Sequence, residues 1–223
     1  CNYPHHRDRT VGLLCAEPDR KSVAAAIGKW DALELENAVT MADSICGVVR
    51  TPEEWATHPQ STAVDRLPLI EIVKIADSPP EPLPEGDRPM GGVRVVDVTR
   101  VIAGPMCGRT LAEHGADVMR ISGPELAFSE ALVIDTGYGK VAAEIDLTSE
   151  IGKESMRNLV TSSDVFSQGY RPGTIAGRGF APEALADIRP GIVCISLSAF
   201  GHTGPWSGKR GFDSIVQCCS GIV

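Results

Sequence analysis

The chain has 223 residues, 43% hydrophobic and 22% charged, with a formal net charge of −8. That composition suits a globular protein of one large domain or one and a half ordinary ones. It argues against a nucleic-acid-binding surface, which is ordinarily basic, and no apolar run of about 18 residues offers a membrane span. A small anionic ligand stays open, because charges beyond a Debye length of about 8 Å are screened and local arginines decide.

The opening CNYPHHRDRT has neither an initiator Met nor an apolar signal core, so it does not read as a secretory leader. His5 and His6 have no third ligand at metal spacing, and no metal is expected. Residues 21–49 then place Val23, Ile27, Trp30, Leu33 and Leu35 at roughly helical spacing, with Gly28 and Asp31 as breaks. Thr51-Pro52-Glu53-Glu54 is a helix start, with Thr as N-cap, Pro at the first position and acids in the first turn. LPLIEIVKIAD, residues 67–77, alternates and predicts a strand. Residues 76–92 carry five prolines and several acids, a stiff solvated connector. A boundary near residue 87 gives a smaller, mostly helical segment, 1–86, and a second domain, 87–223.

Beyond the connector the pattern becomes α/β. Strands are predicted at Val93–Val98, Ala116–Ile121, Val141–Asp146, Asp164–Phe166 and Ile192–Leu197. Helices are predicted at Pro105–His114, from a Thr148 cap to about Val160, and at Pro182–Ile188. This alternation implies a mainly parallel sheet covered on both faces. Seven cysteines (Cys1, Cys15, Cys46, Cys107, Cys194, Cys218, Cys219) without a CxxC pair read as reduced, mostly buried thiols of an intracellular protein. The apolar final stretch SIVQCCSGIV and the Met-less start suggest a piece of a longer protein.

Three loops carry candidate chemistry. Gly104 removes side-chain bulk and Pro105 suits a first helical position, so the Ala-Gly-Pro turn leaves unpaired helix N-terminal amides that favour an anion or a polar ligand head. Neither the G-x-G-x-x-G of a dinucleotide site nor a Walker motif is present, and a tight turn that binds nothing is the bland alternative. GYRPGTIAGRGF, residues 169–180, offers Tyr170, Arg171 and Arg178 among glycines; arginine forks match phosphate oxygens, although a surface loop could carry them idly. SAFGHTGPWSGKRGFD, residues 198–213, holds four glycines with Lys209 and Arg210. Its amides could line an oxyanion pocket, or the loop could simply be flexible. His202 reads as a general base or, more simply, as a hydrogen-bonded loop histidine.

PMGGVRVVDVTRVIAGPMCGRTLAEHGADVMRI, GKVAAEIDLTSEIGKESMRNLV, SSDVFSQGYRPGTIAGRGF and ISLSAFGHTGPWSGKRGFDSIVQCCSG resemble, in order and spacing, the class III CoA-transferases of the CaiB–BaiF type. That group includes formyl-CoA transferase and α-methylacyl-CoA racemase. Residues 1–85 resemble its C-terminal part more loosely, through TPEEWATHP and the proline-rich stretch. The resemblance implies a Rossmann-like CoA-binding domain and an interlocked homodimer in the cytoplasm. Coenzyme A is the implied cofactor-like substrate, with an acyl-CoA and a carboxylic acid as partners, and no nucleic acid or membrane. It places Ile102, Ala103 and Gly104 at CoA, Gly169, Tyr170 and Arg171 along its adenosine diphosphate, Arg178 near phosphate, and Arg210 at the basic position of the third loop.

Ser122-Gly123 departs from the acidic and basic residues usual after the second strand, and Asp135–Gly139 departs from the Asn-rich segment usual before Lys140. The family's nucleophilic Asp falls beyond Val223, so no catalytic residue is expected within the chain, and Asp213 reads as a structural acid opening the helix DSIVQCC. Transfer of CoA through an enzyme-aspartyl anhydride is the implied reaction of the intact protein. A non-catalytic CoA-binding half and a 2-methylacyl-CoA racemase are the alternatives.

Overall fold

The computed structural model describes residues 3–124, 126 and 129–223; Cys1 lies outside them. The chain divides into two compact units, Cys1–Glu71 with Ser198–Val223, and Ile72–Leu197. The expected boundary near residue 87 therefore falls inside the second unit, and the chain returns to the first at Ser198.

Unit 1 contains α1 (Pro4–Leu14), α2 (Arg20–Ile27), α3 (Ala32–Met41), α4 (Pro52–Ala56) and α5 (Pro59–Val64). The breaks read at Gly28 and Asp31 are real. Gly28 ends α2, and Asp31 starts α3 by accepting hydrogen bonds from the amides of Leu33 and Glu34. Thr51 and Glu54 form a full capping box, two orphan amides satisfied reciprocally. Burial corrects the helical stripe. Leu35, Leu14 and Val39 form the small core with Val23 half-buried, whereas Ile27, Trp30 and Leu33 are exposed.

The strand expected at 67–77 does not form; the segment joins no ladder, and Leu69, Ile70, Ile72 and Val73 are exposed. Alternation describes a chain that could pair, and pairing still needs a partner edge. Pro68 removes one of the amides with which this stretch could offer a ladder, and Pro79 and Pro80 follow just beyond it.

His6 is buried beside Tyr3 and Phe212, its Nδ1 without a hydrogen-bond partner. Burial, helped by the charges of His5, Arg210 and Arg9, lowers its pKa from 6.5 to about 4. The fold thus holds a neutral imidazole that the unfolded chain protonates below pH 6.5. Stability present above that pH is lost as pH falls toward 4, by up to ~3 kcal/mol at 1.36 kcal/mol per unit. Denaturant titrations of unit 1 unfolding at pH 7.5 and pH 4.5 should show this slope, and His6→Phe should flatten it.

Unit 2 contains β1 (Arg94–Asp97), α6 (Ala103–Glu113), β2 (Asp117–Ser122), α7 (Glu130–Gly137), β3 (Lys140–Glu144), α8 (Glu150–Thr161), β4 (Val165–Gln168), α9 (Pro182–Ile188) and β5 (Val193–Ser196). The five strands are parallel in the order β3-β2-β1-β4-β5. Predicted bounds hold to within a few residues. The helix cap is Ser149, which accepts from the Gly152 amide, while Thr148 bonds Asp146 instead. The sequence reading did not anticipate α1 or α7.

Successive strand residues face opposite sides, and here both sides are apolar. Val95, Val118 and Val165 pack with Ala112 and Leu111 of α6 on one face. Val96, Ile121 and Phe166 pack with Met156 and Val160 of α8 and Leu185 of α9 on the other. The last helix, α10 (Asp213–Ser220), belongs to unit 1. No helix among the described residues is long and apolar enough to cross a membrane.

Candidate functional site

In a doubly wound parallel sheet, ligands bind beyond the carboxyl ends of the strands where the strand order reverses. Here that point lies between β1, whose crossover runs to β2, and its other neighbour β4. The segments leaving these two strands are residues 98–104 and 169–180, the first two loops singled out from the sequence.

The first segment is strained and uncapped. Val101 has φ +74, the left-handed region that a β-branched residue avoids. Such outliers cost about 1–3 kcal/mol and concentrate at functional sites. Ile102 is the N-cap of α6 and has no side-chain oxygen to satisfy the first amides. Ile102 is 42% exposed and Ala103 is exposed, while Gly104 is buried. The turn thus presents backbone amides at the positive end of an 11-residue helix, the arrangement that suits a phosphate or thioester oxygen.

Two glycines let α6 settle onto the sheet. A Cβ on Gly104 would lie 2.7 Å from Thr99 Oγ1 and closer still to that residue's Cβ and Cγ2. One on Gly108 would lie 2.5 Å from Asp97 Oδ2 and 2.9 Å from Lys140 Nζ. Beneath the helix, Lys140 Nζ donates to Asp97 Oδ2 at 2.8 Å and to the Pro105 carbonyl at 2.7 Å. Both side chains are sealed from solvent, at 1% and 0% exposure. The other carboxylate oxygen accepts from the Thr99 amide at 3.0 Å and from the Thr99 hydroxyl.

The second segment is anchored rather than loose. Ile175 and Phe180 are buried in the core, and the Phe180 ring stacks on Phe166 at 6.2 Å. Between the anchors, Thr174 N–H donates to the Arg171 carbonyl and Arg178 N–H to that of Ile175. Tyr170 donates its amide to Gln168 Oε1 at 2.8 Å and packs its ring on the core. Burial raises its phenol pKa, against the charges of Arg100 and Arg178, which are therefore close by. Gly169 and Arg171 are exposed, and a Cβ on Gly169 would lie 3.7 Å from Thr99 Cβ. Thr99 thus touches the starts of both segments.

Arg210, the eighth candidate, belongs to unit 1, and its Nε and Nη2 each donate to the Asp43 carboxylate at 2.7 Å. The third loop is built, not flexible. Gln60, fully buried, donates to the carbonyls of Phe200 and Thr203 and accepts from the Trp206 amide. Lys209 lies 3.7 Å from the Trp206 ring centroid and pairs with Glu36 at 2.9 Å. Glu36 also takes Arg50 Nη2 at 2.6 Å and the Val48 amide at 3.1 Å. Burial pushes that carboxyl up, but the bonds from Arg50 and Lys209 outweigh it and hold it at about 2. His202 pairs with Glu71 at 3.2 Å, and Asp213 accepts from the Gln217 amide group at 2.7 Å.

Six described cysteines are free, and burial pushes Cys194 and Cys219 up to about 11, far from reactive thiolates. A cavity of about 280 Å³ opens among Arg94, Asp117, Val118 and Val141. It lies at the amino ends of β1 and β2, the wrong edge for ligand binding in such a sheet. Among the described residues no group of three His, Cys, Asp or Glu could hold a metal.

Sequence reasoning missed Asp97, Lys140 and Arg100. A signal existed for the first: a carboxylate inside the apolar run VVDV, in a strand buried on both faces, demands a cation.

The family model for CoA-transferase family III matches residues 90–223. An acetyl-coenzyme A transferase, nodX, of Hypoxylon pulicicidum is 30% identical over 210 residues, 88% of this chain and 35% of that protein. The likeness therefore runs ahead of residue 90. A succinate–glutarate CoA-transferase of Agrobacterium fabrum is 31% identical over 63% of this chain and 40% of its own length. The crystal structure of a CAIB/BAIF family protein from Brucella suis superposes with a TM-score of 0.55 at 31% identity, over 59% of this chain and 39% of that one. The chain spans roughly 35–40% of the length of these relatives. With its parallel sheet and the matched loops at the switch point, the chain belongs to CoA-transferase family III.

Proposed function

We propose that unit 2 binds coenzyme A across the carboxyl ends of β1 and β4, as the CoA-binding part of an enzyme that moves CoA between carboxylic acids. The observation that carries this is the meeting at Thr99 of the uncapped α6 turn and the arginine-bearing loop, on either side of the switch point. Ile102, Ala103 and Gly104 would offer amides, Gly169 a bulk-free approach, and Tyr170 an aromatic wall. Arg171 and Arg178 would meet phosphate oxygens. The reading rests on unit 2 alone, since the Arg210 fork is engaged by Asp43. An acidic chain can bind the anion because those donors are local.

In the reaction, an enzyme carboxylate attacks the acyl thioester and expels CoA thiolate, forming a mixed anhydride. The thiolate then attacks the enzyme's carbonyl of that anhydride, releasing the first acid and leaving an enzyme–CoA thioester. The second acid runs the same two steps in reverse to carry CoA away. The family resemblance puts that carboxylate beyond Val223, so these residues hold CoA while another segment attacks. Asp213, the acid next to the third loop, is bonded to Gln217 in its own helix, which favours a structural role. The whole enzyme would work in the cytoplasm as an interlocked homodimer on an acyl-CoA and a carboxylic acid.

The test is calorimetric titration of CoA into the chain and into Arg171→Ala. A charge-assisted phosphate contact should be worth about 1.5–3 kcal/mol, and equal affinities would remove the assignment. Rapid CoA transfer by these 223 residues alone would refute the placement of the nucleophile.

A further inference from the structure

We infer that Lys140 and Asp97 are positioning residues for CoA, acting through the backbone of the α6 turn and through Thr99 rather than by touching the ligand. This rests on unit 2 binding CoA as read above. Lys140 stands at the start of the edge strand β3, two strands from Asp97, yet its ammonium reaches under α6 to that carboxylate. Burying such a pair brings little stability in itself, because desolvating both charges offsets most of their attraction. What the pair does is geometric.

The second Lys140 bond is to the carbonyl of Pro105, in the first turn of α6, so the ammonium holds the helix down at its ligand-facing end. Pro105 has no amide N–H of its own, so its carbonyl is the backbone group it offers to the clamp. The free carboxylate oxygen of Asp97 takes both donors of Thr99 and fixes that side chain. Thr99 in turn fills the space where a Cβ on Gly104 would stand and approaches Gly169. One ion pair therefore sets the height of the α6 amides and the spacing between the two loops. A strained residue such as Val101 persists only where its surroundings over-determine it, and this clamp supplies that constraint.

The experiment uses Asp97→Asn combined with Lys140→Met, which leaves no lone buried charge and keeps an oxygen for Thr99. Amide hydrogen exchange without ligand reads the turn directly, and CoA titration reads the consequence. Faster exchange at Met106 and Cys107 relative to α8, with CoA affinity down about tenfold, the size typical of losing an outer supporting contact, is expected. Unchanged exchange at those amides overturns the inference, whatever happens to affinity. Faster exchange with unchanged affinity overturns the link to the ligand. If wild type itself fails to bind CoA, the functional reading falls, while faster exchange would still establish the clamp. Should the double variant not fold, Thr99→Val takes its place: it removes one bond to Asp97, and the same two readouts should move in the same direction by less.

Discussion

Glu36→Ala should remove about 3–5 kcal/mol from unit 1, the usual result of deleting one member of a buried ion network. The carboxylate pairs with both Arg50 and Lys209, all three nearly sealed from solvent. Without it two cations face each other in a poorly hydrated interior, and the Val48 amide and Cys219 thiol lose their acceptor. Lys209 would leave the Trp206 ring and unmoor the third loop. Denaturant titration followed by tryptophan fluorescence checks this, since Trp206 reports the loop and Trp55 lies 5.9 Å from it. The same carboxylate sets an acid limit. Its pKa falls from 4.5 to about 2 on folding, so its contribution is complete above pH 4.5 and lost as pH drops toward 2. In Glu36→Ala that part of the acid transition should be missing.

Gly104→Val should both destabilise unit 2 and weaken its hold on CoA. The new side chain would enter space filled by Thr99, which cannot turn away because its hydroxyl is bonded to Asp97 and it is buried. Overpacking of this kind costs about 1–3 kcal/mol. Relief requires α6 to rise at its first turn, lifting the amides from the ligand, and a displacement on the order of 1 Å can cost about a hundredfold where geometry is demanding. Gly137→Ala is the control. A Cβ there meets nothing within 4 Å, and the exchange of Gly for Ala in a helix should stabilise by up to about 1 kcal/mol. Thermal unfolding and CoA titration of both variants decide the matter.

The sheet was legible because its strands are short apolar runs separated by helices, a pattern that few architectures other than a parallel layer can bury. The α6 turn and the Tyr170–Arg171 loop were legible because glycine and arginine have narrow uses there. Residues 67–77 misled for a physical reason: alternation reports that a segment could pair, whereas pairing is decided by a partner elsewhere in the chain. The third loop misled in the opposite direction. Its glycines suggested looseness, but Gln60, Glu36 and Asp43 fasten it, and nothing local in PQSTAV or ALELENAV announces those long-range bonds. The Asp97–Lys140 pair was half legible: VVDV shows that a cation is needed, and only the strand order shows which one.

Unit 1 is discontinuous, and that has a consequence for synthesis. Its helices α1–α5 emerge first, with Glu36 already able to meet Arg50 and Asp43 to meet Arg9, yet Lys209, Arg210 and the carbonyls that Gln60 holds arrive only in residues 198–223, after all of unit 2 has been made. Unit 2 is a continuous stretch whose neighbouring strands are mostly close in sequence, so it can collapse while the ribosome is still working. Until residues 198–223 arrive, the Gln60 amide group lacks those carbonyls, and the Glu36 carboxylate has one of its two cations. Distant pairings of this kind slow folding, because loop closure has to precede the contacts that reward it.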